Sequence, residues 1–386
     1  VKKSSINKKH VVLVLSIILM LLAIMLKLFW LVIFVIVFIG VFYLVFKGIN
    51  GIKNKVIKSG FRSILFVLII FISTISFRLF VLDLYKIPSD SMKDTLSKGD
   101  VILLNKLVYG PKLPSSLSEI PWLNIWFTQK EMSKQDIINN KRNNIRLQGF
   151  RKIKKGDIVV FNAFLWKKGK YIKETLVKRC VGLAGDEIKI KNGEVYVNDK
   201  HFNSSKKIKN EYKVWVNNKQ LFLYQLDSLK LKAELLREDK SNQLLMLNSS
   251  FNDIYKIKEI KTVDSVKIRI EEKEKTKWLL SKKINPNITL DNMGPFKIPK
   301  RGLEIQLNEH TYAIYKKVIN VYEKVLIKYN KKGFFLNGKK ITNYIFKNDY
   351  YFMMGDNRKQ SFDSRMYGFI SKKNIIGKVS GVINHQ

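Results

Sequence analysis

Leu176-Val177-Lys178-Arg179-Cys180-Val181-Gly182-Leu183-Ala184-Gly185-Asp186 is the stretch whose reading decides the fold. Apolar residues and a Gly-rich turn read as a strand over Leu176–Val181, answered by a second strand over Glu187–Ile190. Upstream, Gly156-Asp157-Ile158-Val159-Val160-Phe161 is a turn followed by a buried strand, and Asp100–Leu104 is a short apolar strand. Downstream, Asn192-Gly193 is a hairpin turn leading into Glu194–Val197, and Asn337-Gly338 follows Phe334–Leu336. Tyr350–Met354 reads as one more strand. Short strands with Gly-rich turns predict an antiparallel, mainly β core. On such a strand Leu176, Lys178 and Cys180 share one face, and Val177, Arg179 and Val181 share the other. Lys178 thus emerges between apolar neighbours, where desolvation lowers a lysine pKa.

The N-terminal eighty residues are different. Val11–Phe46 is almost continuously apolar and would measure about 54 Å as one helix, against a hydrocarbon core of about 30 Å. Lys27 divides it into Val11–Leu26 and Leu28–Phe46, which predicts a helical hairpin. One long tilted span with an interfacial piece is the alternative. Ile64–Leu82 is a further span, with Arg78 near its end able to snorkel to the headgroups. Lys2, Lys3, Lys8 and Lys9 precede the first run, and Lys47, Lys53, Lys55, Lys58 and Arg62 lie before the last. Positive loops stay cytoplasmic, so both ends of the hairpin are expected inside and everything after Leu82 outside. A cleaved signal peptide fits poorly, because the run is too long and no small-residue cleavage site follows it.

The expected organisation is a membrane anchor over 1–82 and a catalytic β domain over 83–200 and 333–386. An α/β insertion over 201–332 interrupts that domain. In the insertion, Asn308 caps a predicted helix over 308–330, whose Ile314, Val318, Val321, Val325 and Tyr329 form one apolar face. A weaker helix is predicted over Leu221–Arg237. Pro111–Arg151 is polar and irregular, with Trp122 and Trp126 as interfacial or packing residues.

A formal charge of +40 raises a polyanion partner, either nucleic acid or anionic lipid. Lys, Asn and Ile are abundant throughout, so compositional drift explains most of that charge. No Arg-rich arm, zinc finger or RNA-binding strand is visible, and nucleic acid is not expected. The single cysteine, Cys180, excludes an intrachain disulfide and a four-cysteine zinc site, and it reads as a small buried residue. No cofactor or metal is called for.

Ser91 follows the last span by about ten residues, in Ile87-Pro88-Ser89-Asp90-Ser91-Met92. A serine in a polar loop is ordinarily just solvated. A neutral, desolvated lysine is nevertheless a base that can activate it. The third segment is Gly355-Asp356-Asn357-Arg358-Lys359-Gln360-Ser361-Phe362-Asp363-Ser364-Arg365. Asp363 and Arg365 lie two apart and are expected to pair, with Asp356 and Arg358 in similar scaffold roles. The chain has four histidines; His201, His310 and His385 have no motif around them that would mark a Ser-His-Asp triad.

In this order, behind a membrane anchor, the three segments resemble those of type I signal peptidase, a membrane-bound serine–lysine protease that removes signal peptides from exported proteins. The resemblance covers Arg78–Tyr109, Lys155–Val197 and Tyr350–Asn384. It implies that Ser91 is the nucleophile and Lys178 the general base. It also implies that the Ser89 hydroxyl and the Ser91 N–H face the oxyanion, and that Ser361 orients Lys178. Ile87, Pro88, Met92, Leu96, Leu176 and Val177 would line the substrate pockets. The expected substrate is a secretory precursor lying extended along a strand edge, with small residues at the first and third positions before the cut. Membrane lipid, anionic lipid in particular, and the protein-translocation machinery are the further partners implied. The implied location is the cell membrane, multi-pass, with the catalytic domain on the extracytoplasmic side. Asp90 departs from the family, which commonly has a small residue there. Either it points to solvent or the working pH is shifted upward. Two other readings exist. A self-cleaving repressor of the serine–lysine type would need a DNA-binding helix-turn-helix in place of the spans. A non-enzymatic, membrane-anchored binding protein would not need Ser91 and Lys178 intact.

Overall fold

The computed structural model describes residues 17–18, 20–126, 133, 145–203, 205–239, 243–270 and 288–384. Lys2–Lys9, the start of the first apolar run, most of 127–144 and His385 lie outside the described residues.

Residues 20–25 are helical, and the helix stops where Lys27 takes a left-handed conformation (φ 59°). Lys27 N–H donates to Ile24 O at 2.9 Å and Leu28 N–H to Ala23 O at 2.7 Å. Ala23 and Leu28 are both buried, the apolar contact that accompanies this kind of helix stop. Two long helices follow, α1 (Phe29–Asn50) and α2 (Lys55–Phe80), each long and apolar enough to cross a membrane. The Trp30 and Phe34 rings both lie 6.1 Å from Phe80, so α1 and α2 run antiparallel. The antiparallel pair among the described residues is therefore α1 with α2. Residues 11–16 lie outside the described residues. The second helix also starts nine residues earlier than Ile64. Asn54 caps it, accepting from Val56 N–H at 2.9 Å, and Lys58 and Arg62 reach back to Asn50. Lys47, Lys55, Lys58 and Arg62 are thereby helical, and only residues 51–54, with Lys53, form the connecting loop.

The strands are β1 (Leu82–Lys86), β2 (Val101–Asn105), β3 (Ile158–Lys167), β4 (Lys170–Gly182), β5 (Glu187–Lys191), β6 (Glu194–Val197) and β7 (Lys200–His201). Next come β8 (Lys209–Val216), α3 (Lys219–Ser228), β9 (Ala233–Glu238), β10 (Leu244–Ser250), α4 (Phe251–Ile257), β11 (Val263–Ile268), β12 (Met293–Lys297), β13 (Glu304–Gln306) and α5 (Glu309–Lys317). The chain closes with β14 (Ile327–Asn330), β15 (Gly333–Leu336), β16 (Lys339–Ile341), β17 (Asn343–Ile345), β18 (Tyr350–Met354), α6 (Ser364–Tyr367), β19 (Ile370–Ser371) and β20 (Ile375–Asn384). The main sheet has the order β1-β2-β20-β3-β4-β18-β19 and is antiparallel throughout. This is the mainly β class read from the sequence.

The period of two along β3 and β4 separates two cores. Val159, Phe161 and Cys180 join the larger one, with Ile188, Phe296, Tyr315 and Phe352. Val160 joins the smaller, with Ile87, Met92, Leu96, Ile102 and Leu104, and Val177 packs on its margin. The stretch 201–332 does not behave as one insertion. Strands β8–β11 with α3 and α4 have their own core around Val214, Phe222, Leu247 and Ile257. From Ile288 onward the chain returns to the large core, and β12 pairs with β5.

Two expected helices are shorter than the sequence pattern. Asn308 does cap α5, with Thr311 returning the bond to the Asn308 N–H, but the helix ends at Lys317. A wider turn over Val318–Tyr322 and a left-handed Lys324 (φ 58°) end it, and Ile327–Asn330 is a strand paired with Gly333–Leu336. Likewise α3 stops at Ser228, Lys230 turns left-handed (φ 52°), and Ala233–Glu238 is strand β9. Apolar residues at spacings of three and four fit either state over a few residues, and cross-strand pairing decided here.

Candidate active site

β1 leads the chain away from α2 to a short helical turn, Asp90–Met92, on the rim of the main sheet. Ser91 sits in that turn, only 8% exposed. Lys178, on β4, is 4% exposed, and its Nζ lies 2.5 Å from Ser91 Oγ. Burial pulls the Lys178 amine from its ordinary 10.5 down to about 8; Asp363 and Asp356 work against that, and Arg365 adds to it. A large fraction is therefore neutral at mildly alkaline pH, which a general base requires. The Ser89 hydroxyl points at Ser91 Oγ from 3.3 Å.

Several contacts hold the serine turn in place. Asn357 N–H donates to Ser91 O at 3.1 Å, and Asn357 Nδ2 to Asp90 O at 3.1 Å. Asp90 turns away from the dyad, its Oδ1 accepting from Lys98 N–H at 3.3 Å. The outward orientation is thus the one found. Thr95 Oγ1 donates to Asp356 at 2.6 Å.

The expected Asp363–Arg365 pair is present at 2.9 Å, fully buried. Burial alone would raise the Asp363 pKa, but Arg365 and the Gly355 N–H hold it below its ordinary value. Asp356 does not pair with Arg358. It binds Arg179 through two bonds, Nε at 2.7 Å and Nη2 at 2.5 Å, and Arg179 also reaches Gly156 O. Arg358 is buried, and its carbonyl accepts from Arg365. Arg179, Asn357 and Thr95 are positioning residues that sequence reasoning passed over. Arg179 is adjacent to Lys178, on the opposite strand face, and alternation alone hinted that it must find a partner there.

Ser361 is buried 3% exposed, and its Oγ has no hydrogen-bond partner, so the expected bond to Lys178 is not formed. It lies close to the dyad all the same. A Cβ on Gly355 would meet Ser361 Oγ at 2.1 Å and Ser91 O at 2.5 Å. Gly355→Ala must therefore displace either the Ser91 turn or Ser361. We expect kcat to fall about 10²-fold, the cost of a misplacement near 1 Å. Steady-state cleavage checks this, and wild-type kcat in the variant would show that the close approach is immaterial.

Of the expected pocket residues, Ile87, Met92 and Leu96 come together in the smaller core with Val177 beside them, and Pro88 is exposed. Leu176 packs against the other core, because it points to the opposite face of β4. His201 lies on β7 with its ring edge against Tyr196, and His310 lies in the first turn of α5. Neither is a partner of Ser91.

The family model described as signal peptidase, peptidase S26 matches residues 60–383. The chain belongs to this family. It is thus a peptidase, a hydrolase. Among its curated relatives, Signal peptidase I of Buchnera aphidicola subsp. Baizongia pistaciae is 27% identical over 334 residues, covering 86% of this chain and 78% of that protein. Signal peptidase I of Helicobacter pylori strain J99 is 22% identical over 304 residues, 77% and 73% of the two chains. That of Rickettsia prowazekii is 29% identical over 147 residues, 38% and 46% of the two.

Proposed function

We propose that this peptidase removes signal peptides from exported precursors with Ser91 as nucleophile and Lys178 as general base, the catalytic domain standing outside the cell membrane. The 2.5 Å approach of Lys178 Nζ to Ser91 Oγ, inside a buried site, carries the reading. Ser91 Oγ attacks the scissile carbonyl as its proton passes to neutral Lys178. The oxyanion of the tetrahedral intermediate is met by Ser89 Oγ and the Ser91 N–H. The C–N bond breaks, the Lys178 ammonium protonates the departing amine, and an ester to Ser91 remains. A water, deprotonated by Lys178, then releases the signal peptide as a carboxylate and restores the serine. Ser361 lies buried beside the Ser91 carbonyl with its hydroxyl unengaged, and the amine is held by Ser91 Oγ itself. Arg179–Asp356 and Asp363–Arg365 hold the two loops in register. Ile87, Met92, Leu96 and Val177 receive the small side chains before the cut, with the precursor extended along the strand edge.

Lys47, Lys53, Lys55, Lys58 and Arg62 cluster at one end of the α1–α2 hairpin, and the catalytic domain follows the other end. Positive charge stays inside, which places Ser91 outside and near the bilayer. The runner-up, a self-cleaving repressor, is disfavoured by that hairpin.

The test is incubation of the purified full chain, in detergent, with a precursor bearing a signal peptide, followed by N-terminal sequencing of the product. Cleavage at one bond after small residues is expected; no cleavage, or scattered cleavage, contradicts the substrate assignment. Protease added to intact spheroplasts should digest the domain after Leu82 and spare the Lys47–Arg62 loop. Digestion of that loop instead would reverse the topology.

A further inference from the structure

A cavity of about 290 Å³ lies away from the dyad, where α2 meets the catalytic domain. Arg78, Lys106, Lys112 and Lys173 line it, against the carboxylates of Asp83 and Glu119. Four cations against two anions leave a surplus of two positive charges. Both carboxylates are already engaged. Asp83 binds Arg78 at 2.9 Å and Lys106 at 3.0 Å. Glu119 binds Lys173 at 2.6 Å and accepts from Ser115. Lys112 is the cation left over. Its ammonium makes no hydrogen bond among the described residues, and Lys173 and Arg146 repel it while Glu119 attracts it. Burial holds it at about 8, so it is still mostly charged at neutral pH, in a hollow whose two carboxylates are bonded to other cations.

The cavity also adjoins the C-terminal end of the apolar helix α2. Arg78 belongs to the last turn of α2, and Leu79 lines the wall. Trp122 stacks on Phe71 of α2 at 5.1 Å. Phe71 is nine residues from the helix end, about 14 Å along the axis, so the Trp122 segment runs beside the apolar helix instead of above it. Ile125 and Trp126, next to it, are exposed by 73% and 78%, as aromatic and aliphatic residues are at a membrane surface and seldom are in water.

We propose that this cavity holds the phosphate of an anionic membrane phospholipid. A phosphodiester offers Lys112 an accepting oxygen, its charge offsets the surplus, and its acyl chains continue along the Phe71–Phe80 surface of α2. A zwitterionic lipid brings the same phosphate with a cation that the surplus repels.

The experiment is native mass spectrometry of the full chain in detergent, titrated separately with phosphatidylglycerol, phosphatidylcholine and inorganic phosphate. The wild type should retain one phosphatidylglycerol about tenfold more tightly than phosphatidylcholine, the effect of one or two cations near a lipid phosphate. Lys112→Gln should remove the preference, Lys112→Arg should keep it, and both should cleave a precursor in detergent at the wild-type rate. That last readout separates the lipid site from the proposed activity. Undiminished preference in Lys112→Gln would overturn the proposal. So would retention of inorganic phosphate with no preference between the lipids, which would make this a site for a free anion.

Discussion

Ser91→Ala should abolish precursor cleavage, a loss on the order of 10⁶-fold in kcat, while the chain still inserts and folds. Removing the nucleophile of a serine hydrolase leaves only the rate that binding and oxyanion donors supply. The substitution removes one oxygen from a small buried turn whose backbone is held by Asn357, so folding has little reason to change. Ser89→Ala, by contrast, removes one oxyanion donor and should cost about 10²–10³-fold. Cleavage is read on a gel, and membrane insertion by extraction with alkali. Wild-type turnover in Ser91→Ala would remove the serine from the chemistry.

Lys178→Met should be as inactive, and more stable than the wild type. The methionine keeps most of the stem and loses the amine. Lys178→Arg should also be inactive, since a guanidinium remains charged and is no base. The stability gain follows from the depressed pKa. Folding lowers the amine from 10.5 to about 8, so the unfolded chain binds the proton more tightly than the native one. The penalty is fully present below pH 8, shrinks as pH rises from 8 towards 10.5, and is gone above that range. A shift of this size corresponds to about 3 kcal/mol. Thermal unfolding at pH 7 should therefore give Lys178→Met a higher midpoint, and the gap should close at alkaline pH. A lower midpoint at pH 7 would mean that the amine is not held in a desolvated site.

The β core was legible in the sequence for local reasons, whereas Ser91 and Lys178 stood out only through the resemblance of their segments. Asn192-Gly193 and Asn337-Gly338 are turns whatever surrounds them, and short apolar runs such as Ile158–Phe161 and Tyr350–Met354 need only a few residues to declare themselves. Both turns sit in the structure as hairpin turns, with Asn192 and Asn337 left-handed. The pairing of Asp363 with Arg365 was local as well. The partner of Asp356 was not. Arg179 is 177 positions away in the chain, and only the β4–β18 pairing brings them together. The same applies to the part of 201–332 nearest the site. Lys209 N–H donates to Asp356 O at 2.8 Å, Lys209 Nζ meets Asp94 at 3.2 Å, and Lys93 meets Glu234 at 2.9 Å. These contacts tie β8 and β9 to both loops of the dyad, which no local pattern announces. The two shortened helices failed for the opposite reason. Their apolar spacing was real, but it served strands once β15 and β10 were there to pair with.

The most direct test of the lysine as base is the pH dependence of kcat/KM for a signal-peptide substrate. Only the neutral amine can take the Ser91 proton, so the rate should rise with pH as Lys178 is deprotonated. The account predicts a single inflection near pH 8, the value burial gives Lys178, followed by a plateau. The curve should be unchanged in His201→Ala and His310→Ala. An inflection between pH 6 and 7 that disappears with either histidine, or a rate still rising tenfold per unit at pH 10, would contradict it.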